Sequence, residues 1–344
     1  MKSPAHIVVI RLSAMGDVAM TVPVLLKLTK TYPEVAVTVI SRKLFQPIFK
    51  DIPNVSFLEA DVKGKHKGLL GIVSLAKEAK RRNITAVADL HNVIRSSVMT
   101  RYFKSFAIKV AKIDKGRAEK KEITKPNGKP LTPLKSTHER YADVFRKLGY
   151  ALDLKPPLFL NKKPLPQQFT IDASKKKIGI APFAAYNSKM YPLELMKEVL
   201  QKLDEKGTYQ LFLFGSKAEK EALDNLAKGL TSFSTVAGIV SFEEELALIS
   251  NLDVMLSMDS ANGHLAAMYG VPVITLWGVT HPFTGFVPFN QPMEHQLISD
   301  IEKYPLLPTS VYGNKFPKGY ENVMESIETD TVVNKIEEIV STSP

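Results

Sequence analysis

Asp253-Val254-Met255-Leu256-Ser257-Met258-Asp259-Ser260-Ala261-Asn262-Gly263-His264-Leu265-Ala266-Ala267-Met268-Tyr269-Gly270-Val271-Pro272-Val273-Ile274-Thr275-Leu276-Trp277-Gly278 decides the fold of this 344-residue chain. An apolar run over 254–258 predicts a buried strand, and it stops at a polar cluster, 259–264. Residues 265–269 then read as a helix closed by Gly270, and 271–276 as a second strand. Strand, turn, helix and strand make one βαβ unit, whose ligands collect at the carboxyl ends of the strands. Here that end offers a carboxylate, a hydroxyl, small residues and an imidazole, next to a helix start suited to phosphate.

Outward from this unit the same alternation continues. Upstream lie strands at 177–181, 210–214 and 235–237 and helices at 193–205, 217–229 and 242–250. The first half repeats the pattern, with strands at 7–11, 36–40, 55–58 and 86–90 and helices at 22–31, 45–49 and 69–82. Such spacing predicts parallel sheets covered by helices on both faces. A proline- and lysine-rich stretch at 154–177 separates the halves, 282–320 is irregular with six prolines, and 331–340 carries a helical apolar stripe. The expected division is a first domain at 1–160, a linker at 161–176, a second domain at 177–320 and a closing helix at 321–344 able to pack back toward the first domain. Two similar α/β halves put the expected active site in a cleft between them.

Composition narrows the class. With 44% hydrophobic and 24% charged residues the chain reads as an ordinary globular protein, and its length favours two domains. No apolar run approaches a membrane span, the start does not read as a signal peptide, and cysteine is absent, so a cytoplasmic protein without disulfides is expected. The net charge of +11 is concentrated: residues 101–135 hold eleven Lys or Arg against three acids, a local excess of +8. Such a segment is either a solvated loop or a contact for a polyanion, and no nucleic-acid module or interleaved aromatic platform accompanies it. Nucleic acid is therefore not an expected partner.

Several strand ends carry candidate chemistry. Arg11-Leu12-Ser13-Ala14-Met15-Gly16-Asp17 follows the first strand and lacks the glycine triplet of dinucleotide binders. Asp17 is either a helix-capping acid or a general base able to take a proton from a substrate hydroxyl. Lys189, before the 193–205 helix, is either a solvated lysine or a point charge for a diphosphate. Gly215 and Ser216 allow close backbone approach, and Glu219 is either a first-turn acid or a ribose ligand. Neither metal-ligand spacing nor a hydrolase nucleophile elbow is present, so no metal and no cofactor is expected. A nucleotide-diphosphate site paired with a carboxylate base points to transfer of an activated group.

Taken together, 11–18 with Pro23, 89–96, 138–141 with Leu148-Gly149, 189–192, Gly215 with Glu219, 259–264 and 278–282 resemble glycosyltransferase family 9, the lipopolysaccharide heptosyltransferases. The resemblance implies a GT-B fold: two Rossmann-like, doubly wound parallel-sheet domains facing a cleft. It implies an ADP-heptose donor in the second domain, an anionic lipopolysaccharide inner-core acceptor in the first, and inverting transfer without a metal. By the same resemblance Asp17 matches the general base, Lys189 the lysine on the donor phosphates, and Glu219 the acid near the ribose. Ser188, Gly215, Ser216, Asp259, Ser260, Ala261 and His264 complete the expected donor side, and Arg95, Lys120, Lys121 and His138 the acceptor side. Peripheral contact with the cytoplasmic face of the inner membrane is expected as well. The chain departs from the family pattern at Tyr191, usually Trp and expected still to pack, and at Ala261, usually Gly, whose methyl lies where donor is expected. The alternatives are a GT-B enzyme for another nucleotide sugar, whether a transferase or an epimerase, and a non-catalytic nucleotide-sugar or polyanion-binding protein.

Overall fold

A computed structural model describes residues 5–128 and 131–342; Lys129, one of the basic residues in the charged segment, lies outside them. Two compact units result, one from 1–115 with 137–160 and the other from 116–136 with 161–344. Where the sequence suggests one boundary near 160, the basic segment is shared: its first part belongs to the first unit and residues 116–136 to the second.

The first unit runs β1 (His6–Ile10), α1 (Met15–Ala19), α2 (Val22–Thr31), β2 (Ala36–Ser41), α3 (Gln46–Phe49), β3 (Val55–Glu59), α4 (Gly68–Lys80), β4 (Ala86–Asp89), α5 (Ile94–Lys104) and β5 (Lys109–Lys112). After α6 (Arg117–Ile123), which lies in the second unit, α7 (Thr137–Leu148) returns to the first. The sheet is wholly parallel in the order β3-β2-β1-β4-β5. β1 is buried from Ile7 to Ile10, as a central parallel strand must be when helices cover both faces. Ile10, Val8, Leu75, Met99 and Phe103 pack one face of this core. Chain order reverses between β1 and β4, so the loops leaving those strands flank the topological switch point.

The second unit runs β6 (Lys176–Ala181), α8 (Leu193–Glu205), β7 (Tyr209–Leu213), α9 (Lys220–Leu226), β8 (Phe233–Thr235), α10 (Phe242–Ile249), β9 (Val254–Met258), α11 (Ala261–Ala267), β10 (Val273–Trp277), β11 (Gln296–Ile298) and α12 (Thr329–Thr342). Its parallel sheet has the order β11-β10-β9-β6-β7-β8, with the switch point between β6 and β9. The apolar stripe of α12 packs along α8 within this unit, Val332, Val333, Ile336 and Ile339 joining Met196, Val199, Leu200 and Leu203 in one core. No helix among the described residues is long and apolar enough to cross a membrane.

The structure moves helix starts, by three residues at α9 and by four at α11. α11 begins at Ala261 rather than Leu265, because Ser260 is still extended (φ −145°) and the small residues after it enter the helix at once. Among the described residues four α-helices (α1, α5, α6 and α7) and two strands (β5 and β11) fall where apolar periodicity points to none.

Candidate functional site

Both switch points carry a carboxylate paired with a cation, and each is built within its own unit. In the first, β1 and β4 run in register from Ile7–Ala86 to Ile10–Asp89, which sets Arg11 beside Leu90. The Arg11 guanidinium donates to the Leu90 carbonyl (2.8 Å) and meets Asp17 Oδ2 at 2.5 Å. It also lies 5.8 Å from the centre of the Tyr141 ring. The Tyr141 hydroxyl donates to the Asp17 carbonyl (3.2 Å), and burial pushes that phenol above its ordinary value. The Ala14 amide donates to the same Oδ2 (3.2 Å), so Asp17 does cap the start of α1. Oδ1 makes no hydrogen bond among the described residues, and the side chain keeps 27% exposure. One oxygen is thus fixed while the other is without a hydrogen bond among the described residues.

His91 closes this cluster. Asp89 Oδ1 accepts from the His91 and Asn92 amides (3.0 and 2.7 Å), folding the chain sharply after β4. The His91 Nδ1 accepts from the Leu12 amide (3.4 Å), which puts the proton of the neutral ring on Nε2. Burial first, then the cations Arg11, Lys115 and Arg95, push its pKa from 6.5 down to about 3, while Asp17 pulls the other way. At neutral pH His91 is an uncharged donor in a cationic setting. Arg95 itself stands exposed in the first turn of α5, and His138 is buried in α7.

In the second unit, Lys189 comes from the loop after β6 and Asp259 from the end of β9. Lys189 Nζ meets Asp259 Oδ2 at 2.9 Å, with the two side chains only 11% and 10% exposed. The Thr280 hydroxyl donates to the same oxygen (2.9 Å) from the loop after β10, the strand paired with β9. Lys189 is therefore no solvated surface residue. Backbone proximity holds its loop in place: the Ser188 carbonyl accepts from the Val279 amide (3.2 Å), and a Cβ at Gly278 would come within 2.3 Å of that carbonyl oxygen. The Ser188 hydroxyl donates to the Gly313 carbonyl. Gly313, at φ +80°, would carry a Cβ only 2.4 Å from Lys189 Cδ, so its bareness is what lets the lysine stem pass.

The other residues expected on the donor side follow β7 and β9. Ser260 Oγ lies 3.1 Å from Ser257 Oγ, which accepts from the Gly263 amide (3.2 Å), while Ala261 and His264 lie in the first turn of α11. Glu219 Oε2 accepts from the Ser216 amide (2.6 Å), a capping role, and a Cβ at Gly215 would lie 3.1 Å from that oxygen. Tyr191 is buried, donates to the Ile327 carbonyl (2.6 Å), and has its phenol pushed up to about 12 by burial.

The basic segment is not one patch. Lys109 donates to the Leu148 carbonyl (2.9 Å), and Lys125 pairs with Glu122. Lys120 is buried, its ammonium 4.1 Å from the Phe286 ring centre, whereas Lys121 is exposed. The Leu134 amide donates to the Phe283 carbonyl (2.9 Å), which ties this stretch to the loop after β10. Lys120 thus serves α6's attachment within the second unit. Among the described residues no three His, Asp or Glu side chains converge as a metal site requires.

Residues 72–314 match the family model described as glycosyltransferase family 9 (heptosyltransferase). The chain belongs to that family. It is 25% identical to the lipopolysaccharide core heptosyltransferase OpsX of Haemophilus influenzae, over 98% of each chain. Among solved structures it is similar to the family 9 glycosyl transferase of Veillonella parvula DSM 2008, at 19% identity and a TM-score of 0.78 over 100% of this chain and 99% of that one. It is also similar to the E. coli heptosyltransferase WaaC with ADP-2-deoxy-2-fluoro heptose, at 19% identity and a TM-score of 0.68 over 97% and 99%. The fold of this family 9 enzyme is accordingly GT-B, as the sequence resemblance implies.

Proposed function

We propose that this family 9 enzyme moves a heptose from ADP-heptose to an anionic lipopolysaccharide inner-core acceptor, by one inverting displacement with Asp17 as general base. The observation that carries the reading is the Asp17 carboxylate, with Oδ2 fixed by Arg11 and Ala14 and Oδ1 without a hydrogen bond among the described residues. In the reaction the acceptor hydroxyl oxygen attacks the anomeric carbon and passes its proton to Asp17. The bond from that carbon to the diphosphate breaks, and ADP departs with the electron pair. Lys189, held in place by Asp259, stands against the negative charge that grows on the leaving diphosphate, where a preorganised cation accelerates chemistry. His91 adds an uncharged N–H donor, and Arg95 an exposed cation, to the acceptor side. The names of the relatives support the donor and acceptor classes: one is a lipopolysaccharide core heptosyltransferase, and one structure holds an ADP-heptose analogue.

The test separates binding from turnover. Asp17→Asn retains ADP affinity by calorimetry and loses transfer by about 10²–10⁴-fold, the usual worth of a general base. Transfer at the parental rate removes Asp17 from the role. A nucleotide panel in which ADP and ADP-heptose fail to bind removes the donor assignment. Sugar isomerised without acceptor favours an epimerase instead.

A further inference from the structure

Residues 299–322 hold no helix or strand, a longer irregular run than compact domains usually keep without a functional reason. Leu307 anchors the run in the core of the second unit, and the Tyr320 hydroxyl accepts from the Leu306 amide (3.1 Å). Beyond that anchor most of 311–319 is exposed, yet Ser310 and Gly313 are buried, Ser310 with 2% exposure. These two small residues mark where the run meets the rest of its unit.

Ser310 builds the turn at that point. Its hydroxyl accepts from the Tyr312 and Gly313 amides (3.2 and 2.9 Å) and donates to Asn314 Oδ1 (3.0 Å). One donor and two acceptor sites are all that a hydroxyl has, and each is used. The turn is also tied to the loop after β10, because the Val279 carbonyl accepts from the Thr309 and Ser310 amides (3.0 and 3.4 Å). Since the Tyr312 and Gly313 amides are both consumed inside the turn, it is built as a brace and not as a cradle for an anion.

What the turn braces is Lys189. Gly313 sits at φ +80°, which glycine adopts without strain, and its carbonyl accepts from the Ser188 hydroxyl. A Cβ on Gly313 would lie 2.4 and 2.5 Å from Lys189 Cδ and Cγ, so the glycine backbone runs directly along the lysine stem. Asp259 holds the other end of the side chain, the ammonium, at 2.9 Å. A lysine stem is flexible, and an ion pair at its tip does not by itself fix the carbons behind it. The turn supplies a wall along those carbons.

We propose that Ser310 is a positioning residue for Lys189, its hydroxyl shaping the 310–313 turn so that Gly313 confines the lysine stem. The inference rests on the reading of Lys189 as the cation facing the leaving diphosphate. Ser310 acts through that lysine, where small displacements of a charged group are costly to the reaction.

Brief acetylation of the full chain with acetic anhydride, followed by peptide mass spectrometry, tests the brace without any nucleotide. Lys189 should react slowly in the parent and about fivefold or more faster in Ser310→Ala and in Gly313→Ala, whose methyl enters the space of the stem. The buried Lys120 should keep its slow rate and the exposed Lys121 its fast one. By calorimetry Ser310→Ala should weaken ADP binding about threefold or more, with no further loss when it is added to Lys189→Met. Unchanged labelling of Lys189 in Ser310→Ala overturns the proposal. So does Lys120 quickening in step with Lys189, which would show general loosening, or an ADP loss that persists in the Lys189→Met background. A parent that binds no ADP removes the proposed reaction, while the labelling still decides the role of Ser310.

Discussion

Asp17 and Asp259 occupy equivalent places, each just beyond the switch point of a doubly wound sheet and each meeting a cation through Oδ2. They differ in burial and in what surrounds them. Asp259 is 10% exposed, and Lys189 and Thr280 both converge on its Oδ2; Asp17 is 27% exposed, and its Oδ1 has no hydrogen bond among the described residues. A pair removed from water is rigid, and each partner depends on the other, because a lone buried charge is costly. A half-wet pair couples more weakly and leaves its carboxylate able to exchange a proton with a ligand. The difference fits the proposed roles, a fixed positive charge at Lys189 and proton transfer at Asp17.

Breaking the dry pair should cost most. Asp259→Ala leaves the Lys189 ammonium buried without its carboxylate and should destabilise the protein by about 3 kcal/mol or more in denaturant unfolding. In double-mutant cycles the Lys189–Asp259 coupling should exceed the Arg11–Asp17 coupling, which should be about 1 kcal/mol. Equal couplings would remove the distinction between the two sides.

A smaller effect follows from His91, whose folded pKa is depressed to about 3 from 6.5. Above about pH 6.5 the ring is neutral whether the chain is folded or not, and its contribution is fully present. Below that, the unfolded chain binds a proton that the folded chain refuses. Stability should therefore fall by up to about 1.4 kcal/mol per pH unit as pH drops toward 3. His91→Gln should flatten that slope in melts between pH 5 and 7, and an unchanged slope would show that His91 titrates normally in the fold.

The finest adjustment is Thr280→Val, which deletes one donor to Asp259 and keeps the shape. It should cost about 1–2 kcal/mol in stability and loosen the lysine, seen as weaker ADP binding. Unchanged ADP affinity would mean that Asp259 alone orients Lys189.

Much of the scaffold was legible because parallel strands buried on both faces are continuous apolar runs. The 193–205 helix and the 254–258 strand have the bounds that periodicity gives them. α7 was not legible as a helix: its stripe of Tyr141, Val144, Phe145 and Leu148 is interleaved with charges, and it also buries His138 and Arg140. The start of α11 was missed because Ala261-Asn262-Gly263 has no apolar signal. Asp17 and Lys189 could be singled out as residues at strand ends, but Arg11, His91 and Thr280 could not be given roles. Their partners lie 6, 79 and 21 positions away, and only the last two distances cross between strands, so no local pattern announces them.

The sequence by itself determined the alternation of strand and helix, the two-part architecture and which carboxylates end strands, because these follow from local periodicity and turn chemistry. Tertiary structure alone decided which cation each carboxylate meets, how much water each pair keeps, and that Lys120 is buried with its ammonium over Phe286 while Leu69 and Leu70 stand bare. Strand order and register bring together side chains far apart in the chain, and burial depends on what every other element covers.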